Sequence, residues 1–154
     1  MINVKAYKWS DKSRTLLRNV VSGDIFCFEL DGAYRFGRII SRNKLGHVAE
    51  IFEHIDSVPD VSALTSLKRV GRPVILDSYG LFDRKIEGDW RIIGHQEGYA
   101  PSQDENIYFT LGVKGSCKKV DIFDNEEPIS EQEAKKLPDY SPLGESDIVE
   151  ELHL

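Results

Sequence analysis

Gly23-Asp24-Ile25-Phe26-Cys27-Phe28-Glu29-Leu30-Asp31-Gly32-Ala33-Tyr34-Arg35-Phe36-Gly37-Arg38-Ile39-Ile40 is the stretch that decides the fold. Side chains alternate along a strand, so Phe26, Phe28 and Leu30 share one face. Asp31-Gly32 then separates two strand-like runs. A type I′ turn needs positive φ at both central residues, and Asp-Gly is among the few pairs that tolerate it. The return strand is Tyr34 to Ile40, and Gly37 inside it marks a bulge or the close approach of another chain segment. A second turn near Asn43-Lys44-Leu45-Gly46 leads into Val48-Ala49-Glu50-Ile51-Phe52. The three strands read as an antiparallel meander from about 24 to 55.

Outside the meander the signals are shorter. Pro59 breaks the pattern, and Val61, Leu64 and Leu67 recur at helical spacing behind Asp60 as N-cap, which predicts a short helix over 61–69. Val74-Ile75-Leu76 reads as a strand bounded by Gly71 and Pro73, and Gly88-Asp89 as a turn before the strand Trp90-Arg91-Ile92-Ile93. Ile107 to Val113 and Lys118 to Phe123 read as a late hairpin turning at Lys114-Gly115-Ser116. Ser130-Glu131-Gln132-Glu133 has the form of a capping box, in which Ser130 accepts from the Glu133 amide and Glu133 reaches back. Pro138 stops that helix, and Pro142, Gly144 and many acids beyond it read as a loose end. The expected fold is mainly β (α+β): a single antiparallel, strongly twisted sheet or partly open barrel of about six to seven strands with one or two short helices. The expected organisation is an N-terminal extension over 1–22, a β domain over 23–123, and an acidic tail with a short helix over 124–154.

The chain has 154 residues, of which 40% are hydrophobic and 30% charged, enough for one globular core without metal or disulfide support. Cys27 lies in an apolar run and neither it nor Cys117 sits in a CxxC pair, so both read as buried free thiols, although a disulfide between them stays open. The N-terminal residues contain no apolar signal core, and no run approaches the roughly 18 apolar residues of a membrane span. A cytoplasmic protein is therefore expected. The net charge of −6 is unevenly placed. Residues 1–120 hold 18 Lys/Arg against 15 Asp/Glu, whereas residues 121–154 hold 2 against 11. Such a tail either meets a basic partner or only aids solubility.

Chemistry needs converging groups, and the sequence offers none at diagnostic spacing. His47, His54, His95 and His153 form no zinc pattern, and His47 and His54 read as surface or capping residues. No nucleophile elbow, phosphate loop or dinucleotide fingerprint occurs. Gly112-Val113-Lys114-Gly115 reads as hairpin turn chemistry, and no pair of carboxylates stands out as an acid/base dyad. The expectation is that the protein is not an enzyme and needs no cofactor or metal. Arg35, Arg38, Arg42 and Lys44 interleave with Tyr34 and Phe36, a pattern some single-strand binders use. Only Arg38 and Arg42 share strand parity, so these two are the candidate nucleic-acid contacts. The competing reading packs the aromatics in the core and pairs the arginines with Glu29, Glu50 or Glu53 on adjacent strands.

Gly23-Asp24-Ile25-Phe26, then Tyr34-x-Phe36-Gly37-Arg38-Ile39 after the hairpin, then Trp90-Arg91-Ile92-Ile93-Gly94, together resemble the immunity protein 26 family of bacterial polymorphic toxin and contact-dependent inhibition systems. The resemblance covers about 23–94. It implies function by binding: such proteins are encoded beside a toxin, and the implied partner is the C-terminal domain of that cognate toxin. It supplies no catalytic residues. A nuclease-type toxin needs a basic groove, and an acidic inhibitor reaches one quickly through electrostatic steering. Asp121, Asp124, Glu126, Glu127, Glu131 and Glu133 are the expected partner-binding surface, with no membrane and no nucleic acid as partner.

Overall fold

In the computed structural model, which describes residues 3–9, 16–83, 89–102 and 106–154, Asp31 and Gly32 both adopt positive φ, 53° and 82°. They turn strand β2 (Asp24–Leu30) into β3 (Ala33–Arg42), which pairs in turn with β4 (His47–Asp56). The meander predicted over 24–55 is present. Three further strands extend it: β1 (Val4–Ala6), β5 (Val74–Leu76) and β6 (Arg91–Gln96). The six strands form one antiparallel sheet in the order β1-β6-β2-β3-β4-β5. β1 comes from the N-terminal segment, so Val4–Ala6 belong to the sheet.

The late hairpin is shorter than its sequence pattern, with β7 (Phe109–Leu111) and β8 (Lys118–Val120). Together with β9 (Glu126–Pro128) it builds a second antiparallel sheet in the order β7-β8-β9. The predicted turn at Gly88 lies outside the described residues. Cys27 is buried, Cys117 is half-buried, and both are free thiols.

Both readings of Gly37 hold. The register of β3 against β4 shifts between Arg35 and Gly37, and a methyl group at Gly37 would run into the Phe26 ring and the Glu50 carbonyl. That close approach lets Phe26 lie over β3 and join the first core. On this face Phe26, Phe28, Ile39 and Ile51 pack under Trp90, Leu81 and Phe82. Leu81 and Phe82 sit on α1 (Ser78–Phe82), which Asp77 caps by accepting from the Gly80 amide. Trp90 stacks on Phe28 with centroids 4.0 Å apart and rings 4° from parallel. On the opposite face Ile25, Cys27, Phe36, Phe52 and Ile93 pack under Val61, Leu64, Leu67 and Trp9, while Ile40, Val48 and Ile75 meet Ile107, Phe109 and Ile122 of the second sheet region.

Two expectations fail. The predicted helix over 61–69 reduces to a 3₁₀ turn at Val61–Ala63, although Asp60 does cap it. The following backbone is drawn out instead: Glu53 N–H donates to the Lys68 carbonyl and Val70 N–H to the Ile51 carbonyl. Pairing beside β4 satisfies those groups better than a helix rich in Ser, Thr and Val would. The tail is not a loose end. α2 (Glu131–Ala134) carries the Ser130 cap onto the Glu133 amide at 3.1 Å, the first half of the expected capping box. α3 (Glu145–Leu152) then places Ile148 and Leu152, four residues apart on one helix face, in the first core. Gly37→Ala is expected to destabilise the protein by roughly 1–3 kcal/mol, because the obstructing atoms belong to a packed ring and a backbone carbonyl. Urea unfolding should show a lower midpoint with an unchanged slope.

Candidate functional site

Glu50 organises the polar part of the sheet. It lies on β4 with its side chain 3% exposed, between the two cores of the second face. Arg38, its partner across the β3–β4 ladder, donates to Glu50 Oε2 from Nε (3.2 Å) and Nη2 (3.0 Å). Arg69 reaches Oε1 from the segment beside β4, at 3.2 Å. Both carboxylate oxygens are therefore engaged by guanidinium groups, as a buried charge requires. The remaining nitrogen of Arg38, Nη1, donates to Gln96 Oε1 at 2.6 Å, and Tyr99 stacks on the guanidinium 4.2 Å away. Next to this, His95 Nδ1 lies 2.8 Å from Asp24, which also accepts the Val21 amide. The arrangement ties β2, β3, β4 and β6 together. The strand pattern makes Glu50 a candidate partner of the strand arginines; it carries no signal for Gln96 at the end of β6, or for Arg69 and Tyr99, which come from segments distant in the chain.

The shared face expected for Arg38 and Arg42 is absent. The register shifts between Ile39 and Ser41, so Arg38 lies opposite Glu50 and Arg42 opposite His47. Glu50 and His47 are three apart on a regular stretch of β4 and project to opposite faces, and the two arginines follow them. Arg38 is half-buried and Arg42 exposed.

The six acidic residues do different work. Asp121 accepts from the Phe123 and Asn125 amides and from Asn125 Nδ2. Desolvation opposes its ionisation, but these donors outweigh it and hold the carboxyl below its ordinary pKa. Asp124, at φ 64°, accepts from the Lys44 amide and the Tyr140 hydroxyl and so pins the second sheet to the β3–β4 turn. Burial, then the bond to Asp124, pushes the Tyr140 hydroxyl up to about 12. Glu126 and Glu127 stand exposed on β9, within 3.6 Å of Lys118 and 3.8 Å of Lys119 respectively. Glu131 accepts the Gly115 amide and Glu133 is exposed on α2. Asp121 and Asp124 thus build the turn that presents the others.

The histidines do not converge. His54 lies between Asp56 and Thr65, and His153 ends α3 in the left-handed region. His47, which reads from the sequence as a surface or capping residue, is buried at 3% exposure with Nδ1 2.7 Å from Ser78 Oγ. The turn that carries it folds against the N-terminus of α1. Among the described residues no group of three or more His, Cys, Asp or Glu is placed to hold a metal ion. Burial, then the Arg42 guanidinium, lowers the His47 pKa to about 4 against the opposing Val20 carbonyl. The Cys27 thiol is raised by its burial, which suppresses the thiolate and with it reactivity.

The fold and its polar groups define a small two-sheet antiparallel protein in which the buried Glu50 carboxylate is paired with two arginines. Residues 21–121 match the family model of immunity protein 26, and the chain belongs to that family. Membership carries an immunity function and implies a toxin protein as partner. No curated protein and no solved structure matches the chain. Among the described residues no helix is long and apolar enough to cross a membrane.

The depressed His47 pKa makes stability depend on pH. Between about 4 and 6.5 the unfolded chain binds a proton that the folded chain resists. The full stability is present above 6.5 and is lost as pH falls towards 4, by about 3 kcal/mol at most for this one group. Urea titrations at pH 7 and pH 4.5 should show that loss, and His47→Asn should flatten the slope that His47 contributes, whatever its effect at pH 7.

Proposed function

We propose that this protein neutralises the C-terminal domain of its cognate toxin by stoichiometric binding in the cytoplasm, without chemistry of its own. The observation that carries the proposal is the ordered state of its acidic stretch. Residues 121–154 hold 11 acids against 2 bases, and Tyr140, Ile148 and Leu152 anchor that stretch to the body of the protein. The backbone that bears its carboxylates is therefore held in place, so a partner's arrival orders side chains but little main chain.

A toxin that cleaves nucleic acid needs a basic groove, and an acidic surface complements it in charge. Asp121 and Asp124 position the surface; Glu126, Glu127, Glu131 and Glu133 present the charge. The stretch from β9 onward lies beyond residues 21–121, so it belongs to what this chain adds to the family pattern. That placement suits a surface that selects one toxin among many.

The test is the quadruple variant Glu126→Gln, Glu127→Gln, Glu131→Gln and Glu133→Gln, with Asp121 and Asp124 kept. Binding to the toxin domain encoded beside the gene should show association slowed about tenfold or more at low salt, a flatter salt dependence, and a nearly unchanged dissociation rate. An association rate equal to that of the unmodified protein places the acidic surface outside the interface.

A further inference from the structure

The two sheets have four outer edges, and three of them are closed. β5 is covered by the tail: Leu143 N–H donates to the Ile75 carbonyl at 2.8 Å, and Asp77 N–H to the Leu143 carbonyl at 2.9 Å. β7 is covered by the segment after α2, with Thr110 N–H on the Pro138 carbonyl and Tyr140 N–H on the Thr110 carbonyl. β9 reads Glu126-Glu127-Pro128, all exposed, and two charges and a proline discourage strand addition.

β1 carries one exposed charge, Lys5, but it has no proline and no segment of the described residues pairs with its outer side. Tyr7 N–H donates to the Ile93 carbonyl and Glu97 N–H to the Asn3 carbonyl, so Asn3, Lys5 and Tyr7 are the residues bonded to β6. In an antiparallel ladder the residues between them turn their N–H and C=O the other way. The backbone groups of Val4 and Ala6 therefore point out of the sheet, and they have no partner among the described residues. Two contiguous grooves run beside this edge and share Ala6 and Ser62. One, of about 580 Å³, has Val61, Leu64 and Leu67 as its apolar wall; the other, of about 640 Å³, has Trp9 and Pro59.

We infer that the β1 edge accepts an extended segment of the toxin polypeptide as a seventh strand, with alternate apolar side chains of that segment seated against Val61, Leu64 and Leu67. The inference rests on the proposed toxin-binding function and deepens it. Outward N–H and C=O groups at strand spacing are complementary to another polypeptide backbone, and the wall beside them is complementary to apolar side chains on one face of it. A second copy of this chain fits less well. The register that sets Val4 against Ala6 of the copy also sets Lys5 against Lys5, and like charges directly opposite repel. A three-residue pairing also supplies little of the roughly 800 Å² per partner that a stable dimer buries.

The experiment uses the full chain and the toxin domain encoded beside its gene. Amide exchange followed by NMR should show the Val4 and Ala6 amides protected on complex formation, with little change at Lys5, which is already bonded. Ala6→Pro removes an N–H that the fold does not use, and it should weaken the complex roughly ten- to hundredfold while leaving the unfolding midpoint nearly unchanged. If no complex forms with the unmodified protein, the proposed function fails and the inference goes with it. If the complex forms but Val4 and Ala6 stay unprotected and Ala6→Pro binds normally, the inference alone is overturned. Dimerisation of the chain by itself that Ala6→Pro abolishes would assign the edge to a second copy and also overturn it.

Discussion

Trp90 is the contact on which most of the molecule depends. Its ring lies flat on Phe28, 4.0 Å away, and meets Phe82 of α1 edge-on at 6.2 Å. Its backbone N–H donates to the Leu81 carbonyl, and its indole N–H donates to Glu145 at the start of α3. One buried side chain thus holds the sheet, α1 and the C-terminal helix in a single arrangement. An indole can do this because it offers a large apolar face together with one donor that must be satisfied when buried. Once α3 is fixed in this way, Leu143 is held along β5, and the acidic stretch before it has a defined course.

The second organising contact is ionic. Glu50 would be costly to bury alone, and two arginines from opposite directions offset that cost. The pairing consumes Arg38, the residue that had looked most available to a nucleic acid. It also explains why the basic residues of the meander make no continuous patch: one is spent on Glu50, and the extra residue between Ile39 and Ser41 turns Arg42 to the other face. The acidic excess of the chain lies in residues 121–154, which include β9, α2 and α3.

Local signals are legible where one residue type answers one geometric demand. Asp31-Gly32 takes the two positive φ values of its turn, Gly37 leaves room for Phe26, Asp60 caps its turn, and Ser130 caps α2. The motif around Trp90 likewise pointed to the family. Signals failed where distant segments decide the outcome. Val61, Leu64 and Leu67 have helical spacing, but their apolar side chains bury equally well from an extended segment whose backbone pairs with β4. Ile148 and Leu152 have the spacing of a buried helix face, yet the acids around them read as a solvated tail. The bulge after Ile39 leaves no mark in composition, and it alone separates Arg38 from Arg42. Of the candidate site, the acidic residues were legible as a count; which of them build a turn and which face outward depends on Asn125, Lys44 and Tyr140, and only the fold brings these close.

The central claim is that protection comes from occupying the toxin, molecule for molecule. It is tested most directly by titrating a fixed amount of the cognate toxin with increasing amounts of the protein and following residual toxin activity. The account expects activity to fall linearly and reach its floor near one equivalent, with active toxin recovered when the complex is dissociated. Complete inactivation at a small fraction of an equivalent, or toxin that stays inactive after separation, would mean that the protein alters its target chemically and would contradict the account.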